Sequence, residues 1–358
     1  MNWPFRWEPR AIRGADLDDS AASGLRYQES FDLGKSMLFI AGMDSKTIVD
    51  FVIDDRITGF FSVRKKVVRE YTRGRFVSLE LGDCSGRIGA VCWEPDQFCL
   101  NELEAGMVVK VRGVVGEYND KPQLTLSRVR PAKSDEYKIE EILPHSSQPL
   151  EQRRSRLLSL AERIENSYIK TLTDAFLADD AFLKEFLIAP AGKLWHHAFV
   201  GGLSEHSANV AQLALDVSTH YDFLDKDYLV FGGLFHDVGK MAAYSTGTMF
   251  DYTDEGRLVG HICLADHWVA ERAGRIDSFP PELLTKLRHL ILSHQGELEY
   301  ATPVVPQIPE AFVVYYCDEI DSKMGAIERI RTKHGGAGWS EFVKMLNRYL
   351  YFGEKSED

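Results

Sequence analysis

A chain of 358 residues with 44% apolar content is too long for one small core and ample for two domains. Its formal net charge of -12 excludes a protein that coats nucleic acid with its whole surface, so a polyanion would have to meet a local basic patch or bound cations. Cys84, Cys92, Cys99, Cys263 and Cys317 form no C-x-x-C pair, and neither a secretory segment nor a spanning apolar stretch is legible; this predicts a cytoplasmic protein with reduced thiols and no membrane partner.

Residues 1–43 carry Trp3, Trp7 and a run of acidic and small residues without sustained period, and are expected to form a flexible leader. From 44 to 131 the chain alternates apolar and polar residues over 57–63, 75–81, 88–93, 108–115 and 123–126, with turn residues between these runs and a polar, helical stretch after the third. Five short strands of this kind suit an OB-type β-barrel, with an SH3-like barrel as the competing architecture. Residues 64–75 hold six basic residues against one acid and are expected to form a cationic loop between the first two strands. Arg64, Lys65, Lys66, Arg69, Arg73 and Arg75 would contact nucleic-acid phosphates there, and Tyr71 would stack on a base. Alternation puts one of Phe60 and Phe61 inside the barrel and the other outside.

Residues 132–150 read as a linker. Helical period then dominates 151–350, an all-α domain with helices expected over 150–179, 198–221, 227–240, 258–274, 281–294 and 309–330, followed by a charged tail at 351–358. Within this half, histidines recur on inward stripes: His206 with Val210, Leu213 and Val217; His236 with Leu229, Gly232, Gly233 and Lys240; His261 with Ala265 and Trp268; His294 with Leu287, Leu290 and Ile291. Asp318 and Asp321 share a stripe with Val314, and Asp237 stands beside His236 inside an apolar helix. A single inward histidine is most often a hydrogen-bonded core residue. Four of them with several carboxylates would be a costly core unless cations compensate them, and mixed nitrogen and oxygen donors favour Mn, Fe, Co, Ni or Zn over Mg or Ca.

The order H, HD, H, H, D resembles the HD-domain metal-dependent phosphohydrolases, in the variant with a two-metal centre. Three longer phrases, at 190–206, 253–261 and 290–299, are similar to the YhaM family of 3'-to-5' exoribonucleases, in which an OB-fold precedes an HD domain. The resemblance spans roughly residues 44–350. It implies two divalent ions, Mn or Co favoured and Fe, Ni or Zn next: one held by His206, His236, Asp237 and Asp318, the other by Asp237 as a bridge with His261 and His294. Gln295 departs from the pattern, since a second histidine is expected there, which puts the occupancy of the second site in question. Asp321 is assigned to the layer behind the ligands or to the surface.

Asp237, Lys240 and His197 are expected to serve catalysis. Lys240 either reaches a phosphate oxygen or caps the carbonyls of a helix end. Lys193, His196 and His197 precede the first ligand helix, where they would bind the terminal phosphate or protonate the departing 3' oxygen; neighbouring histidines cannot both face one way, and His197 is taken as the catalytic one, with Lys193 on the nucleic acid. The glycine pairs Gly201-Gly202 and Gly232-Gly233 are expected to let helices approach closely. The whole reads as a metal-dependent 3'-to-5' exoribonuclease that takes single-stranded RNA or DNA, RNA favoured, to nucleoside 5'-monophosphates. The alternatives are a phosphohydrolase of small or cyclic nucleotides and a binding factor with a structural metal. A homo-oligomer is compatible with the sequence and not specified by it.

Overall fold

The alternating runs pair into a closed barrel. A computed structural model describes residues 46–354 except 73, 194, 195 and 246; the expected leader, Arg73 and the end of the charged tail lie outside the described residues. The strands are β1 (Arg56–Tyr71), β2 (Gly74–Gly82), β3 (Arg87–Cys92), β4 (Val108–Tyr118) and β5 (Lys121–Pro131), in the order β1-β2-β3-β5-β4 with β1 closing on β4. The β3–β5 pair is parallel and the others antiparallel. This is the OB arrangement, and the polar stretch before β4 is a single π turn, Phe98–Glu102. Inward positions such as Val63, Leu81, Val109, Val115 and Leu124 are fully enclosed; Phe61 points in, and Phe60 lies half-buried under the Lys110 ammonium.

The cationic stretch is not a loop. Its residues extend β1 through Tyr71 and start β2 at Gly74, with paired partners from Lys65↔Glu80 to Tyr71↔Gly74. The β-branched Val67 and Val68 and cross-strand pairing keep the basic segment extended, so its side chains divide between two faces instead of clustering.

Beyond the barrel run α1 (Ile139–Ile142), α2 (Leu150–Ala161), α3 (Ser167–Leu177), α4 (Asp180–Ile188), α5 (Gly202–Ser218), α6 (Lys226–Phe235), α7 (Lys240–Ala243), α8 (Asp254–Leu258), α9 (His261–Ala273), α10 (Pro281–Ser293) and α11 (Pro309–Lys333). The single helix expected over 150–179 is two, because Asn166 restarts the chain as a cap that accepts from the amides of Tyr168 and Ile169. Asp179 caps α4 in the same way. The helix expected over 227–240 ends at Phe235, leaving His236 and Asp237 in a turn rather than inside a helix. Helix α5 lies against α6 and α11 over one apolar core holding Phe176, Phe186, Phe231 and Phe235. Gly233 permits this: a Cβ there would sit 2.4 Å from Cα of Ala211, so only glycine lets α6 rest directly on the α5 backbone.

Candidate metal centre and nucleic-acid surface

Five elements deliver side chains to one buried point. His206 comes from the second turn of α5, His236 and Asp237 from the end of α6, His261 from the first position of α9, His294 from the end of α10, and Asp318 from the middle of α11. His206, His236, Asp237 and His294 are enclosed, while His261 and Asp318 keep an edge toward solvent.

Three of the imidazoles are fixed through Nδ1 so that Nε2 faces inward. His236 Nδ1 donates to the Gly233 carbonyl at 3.0 Å, and His294 Nδ1 to the Ile291 carbonyl at 2.7 Å. Nδ1 of His206 meets Asp321 Oδ2 at 2.7 Å. Because a carbonyl only accepts, the proton of His236 and of His294 resides on Nδ1, and Nε2 offers its lone pair.

Two donor sets result. In the first, Nε2 of His206 and of His236 stand 3.1 Å apart; each is 3.4 Å from Asp237 Oδ2, and they are 3.2 and 3.9 Å from Asp318 Oδ1. In the second, Asp237 Oδ1 lies 3.4 Å from Nε2 of His261 and 3.5 Å from Nε2 of His294. Asp237 Oδ1 and His294 Nε2 are both enclosed without a hydrogen-bond partner. A cation would satisfy both atoms, and bonds of about 2.1 Å to a common ion would separate neighbouring donors by about 3.0 to 3.4 Å. The residues therefore fit a divalent metal, with Asp237 offering one oxygen to each set.

The electrostatics of the site are set by burial and by the contacts its groups make with one another. Burial would raise Asp237, yet Lys240, His236 and His206 hold it well below the usual carboxylate range. Burial alone would lower His206, but its contacts with Asp237, Asp318 and Asp321 keep it well above the ordinary histidine value. At His261 desolvation outweighs the opposing pull of Asp237, and the value falls to about 3, so the ring stays neutral. Lys240 is neither free nor a helix-end cap: it opens α7 and puts Nζ 2.5 Å from Asp237 Oδ2, in the position of a substitute cation.

His197 is not among the inward-facing groups. Its Nε2 meets Asp321 Oδ2 at 2.8 Å, behind His206, so it braces the carboxylate that orients a ligand. Asn209 completes that carboxylate's environment at 2.8 Å, and both residues were missed as supports because they lie on other stretches of chain. His196 stands within the field of the donor set, where Lys240, His206, Asp318 and Asp237 all act on it, and both its nitrogens are enclosed without partners among the described residues. Burial, with the charge of Lys240 next, drives it down to about 2. Gln295 presents Nε2 at 3.4 Å from His261 Nε2, so an amide borders the second donor set. Lys193 is tied to Asp251 at 2.6 Å.

On the barrel, Tyr71, Phe76 and Trp93 pack into one aromatic group, with ring centroids 4.8 to 5.8 Å apart, beside the exposed Arg75. Tyr71 is 36% and Trp93 46% exposed. Lys65 and Arg69 share the Tyr71 side of β1 and are exposed, whereas Arg64 turns toward a cleft beside the helices. Lys66 is turned toward the barrel: its Nζ donates to the carbonyls of Leu100 at 3.0 Å and Leu103 at 2.7 Å. Among the described residues no helix is long and apolar enough to cross a membrane.

A model of the HD domain matches residues 203–323, and one of the OB-fold nucleic acid binding domain matches residues 56–132. The chain is 33% identical over 280 residues to the 3'-5' exoribonuclease YhaM of Bacillus licheniformis, covering 77% of this chain and 88% of that one. To the proteins of the same name from Bacillus velezensis and Bacillus pumilus it is 30% identical over 310 residues, covering 86% of this chain and 98% of each. The second OB-fold domain of replication protein A from Methanococcus maripaludis aligns with 25% of this chain and 95% of its own, at 17% identity and a TM-score of 0.22.

Proposed function

The chain belongs to the YhaM family of 3'-5' exoribonucleases, and from that premise we propose that it is a cytoplasmic, divalent-metal-dependent enzyme that shortens single-stranded RNA from its 3' end to nucleoside 5'-monophosphates. One observation carries the reading: six donor residues from five elements converge, with Nε2 of His206 and of His236 only 3.1 Å apart. In this reading residues 44–131 form the nucleic-acid-binding domain, 132–150 the linker and 151–350 the hydrolytic domain.

We assign one ion to His206, His236, Asp237 and Asp318 and a second to Asp237, His261 and His294, with Mn or Co as the favoured metals. Bound there, divalent ions supply Lewis acidity toward a phosphoryl oxygen and bring the pKa of water close to neutrality. The chain's own groups do the rest. Asp321, backed by His197 and Asn209, fixes His206 in the orientation that offers Nε2. Lys240 holds a positive charge beside Asp237, where it can transfer its contact to a phosphate oxygen as charge builds up in the transition state. His196, kept neutral by burial and by Lys240, offers its N–H as a hydrogen bond to the terminal phosphate or the departing 3' oxygen and does not itself lose that proton. On the barrel, Tyr71 and Trp93 offer faces on which bases stack, and Lys65, Arg69 and Arg75 accompany the backbone.

The deciding experiment incubates the protein with 5'-labelled single-stranded RNA and DNA in Mn, Co, Mg or chelator. Products that shorten stepwise from the 3' end in metal, and nothing in chelator, are expected. Internal cuts, or inert oligonucleotides beside rapid hydrolysis of mononucleotides, would replace the reading with a small-nucleotide phosphohydrolase.

A further inference from the structure

We infer that Arg64, Arg87 and Arg329 form an anion site, in the cleft between the barrel and the far part of α11, that holds a backbone phosphate of single-stranded nucleic acid upstream of the cleaved end. The identity of the ligand rests on the exonuclease reading; the site itself rests on a cavity and on unpaired charge. The cavity measures about 610 Å³, and its walls include residues 83–87 and Arg64 of the barrel, residues 144–147 before α2, Lys193 and Glu205, and Glu328, Arg329 and Thr332 of α11.

Arg64 is the built part of this site. Its Nε is enclosed with no partner, and its Nη2 reaches only the Ile142 carbonyl, at a marginal 3.5 Å. No carboxylate forms an ion pair with it among the described residues. The sequence makes room for the side chain: a Cβ on Gly82 would fall 2.6 Å from Arg64 Nε, so the glycine leaves the space that the guanidinium fills. Burial, and after it the charge of Arg87, brings Arg64 down to about 10, so it remains charged at neutral pH. The same two causes lower Arg329, which has no hydrogen bond or ion pair among the described residues. Arg87 meets Glu80 through Nη1 at 3.0 Å and keeps its other donors.

The acids of the cleft do not pair with these arginines. Asp83 accepts from the amides of Ile48, Ser85 and Gly86 and from the Ser85 hydroxyl, at 2.6 to 2.9 Å. Glu205 accepts from the Ser146 hydroxyl at 2.6 Å. Glu328 is exposed to solvent. Three guanidinium groups that repel one another around a cavity, one with an orphaned donor, match what a phosphate supplies: dispersed negative charge and several acceptor oxygens. Position fits as well. Asp318 and Arg329 lie eleven residues apart on α11, about 16 Å along its axis, a span of about five stacked nucleotides at ~3.4 Å each. A strand whose 3' end enters the metal centre would therefore pass the arginines a few nucleotides upstream, and backbone recognition there is independent of sequence.

The test measures anisotropy of a labelled single-stranded RNA roughly 12 nucleotides long, within the ~4–16 nucleotides an OB-fold covers, on the full chain in chelator so that nothing is cleaved. An Arg87→Gln, Arg329→Gln double variant, altered only at exposed positions, is expected to bind about tenfold more weakly near 0.1 M salt, with the slope of log affinity against log salt reduced by about 0.7, the value of one single-strand phosphate contact. The Arg87→Lys, Arg329→Lys variant should recover most of that slope, and Mn-dependent hydrolysis of bis(4-nitrophenyl) phosphate should stay at the wild-type level in both. Unchanged affinity and slope in the glutamine variant overturn the site, as does a wild type that fails to bind. If binding changes as expected but Mn produces no 3' shortening, the exonuclease reading falls and the site stands; if 3' shortening occurs with unchanged binding, the reverse holds.

Discussion

Asp321 accepts the Nδ1 proton of His206 at 2.7 Å, so the imidazole presents Nε2, and only Nε2, to Asp237 and Asp318. The carboxylate is itself held by His197 and Asn209, which makes it a rigid support one layer behind the donors. Asp321→Ala is therefore expected to weaken metal binding by about 10- to 100-fold while leaving the other donors in place. Titration of the chelator-treated protein with Mn measures the affinity, and activity should return substantially at saturating metal. Wild-type affinity in this variant would show that the contact is incidental.

Metal binding is expected to release protons. His206 in the metal-free protein sits well above the ordinary histidine value, so a cation must displace its proton, and affinity should rise with pH. Calorimetric titration in buffers of different ionisation enthalpy reads the number released. A value of zero near pH 7 contradicts this account of His206.

The stability of the metal-free protein should fall as pH drops from about 6.5 toward 4. His261 and His196 have folded-state values of about 3 and about 2, both from burial. Between those values and the ordinary ~6.5 the unfolded chain binds the extra protons, so their contribution is full above ~6.5 and is lost on acidification, by up to about 1.4 kcal/mol per pH unit for each proton. His206 has the opposite sign: its contribution is complete below ~6.5 and fades only as pH rises through its elevated value. Melting curves in chelator between pH 8 and 4 check the trend, which a flat profile would contradict.

Lys240→Met should separate binding from chemistry. Removing an ammonium that lies 2.5 Å from Asp237 eliminates a competing cation, so metal affinity should hold or increase. Loss of a charge directed at the developing phosphoryl charge should still lower kcat by about 10²- to 10³-fold. Parallel loss of metal affinity and kcat would instead make Lys240 a support of the donor set.

The barrel variants are expected to differ by face. Trp93→Ala and Tyr71→Ala should each lose about 1–3 kcal/mol of RNA affinity and leave hydrolysis of a small phosphodiester untouched. Lys66→Ala should destabilise the barrel by about 1–3 kcal/mol, since two carbonyls lose their donor, without changing the salt dependence of RNA binding. Denaturant unfolding and anisotropy distinguish the two, and equal losses of RNA affinity in all three variants would be incompatible with the division.

The barrel was legible because strand alternation has a period of two and the turn residues mark its corners; the five apolar runs correspond one to one with β1 to β5. The histidines were legible because each shares a helical stripe with apolar residues, which points it inward whatever it packs against. Other features were not readable. Asn166 restarts a helix in an unbroken periodic run, and the basic segment became strand because β2 lay opposite to pair with it.

Sequence alone thus determined the two-part architecture and the inward direction of His206, His236, His261 and His294, since both follow from local periodicity and from the cost of burying polar groups. Tertiary structure decided which nitrogen His206, His236 and His294 offer, that His197 stands behind His206 against Asp321, and that Lys66 is turned to the barrel while Arg64 has no ion pair among the described residues. Those outcomes depend on which carbonyl or carboxylate arrives from a distant stretch of chain, and no local pattern encodes that arrival.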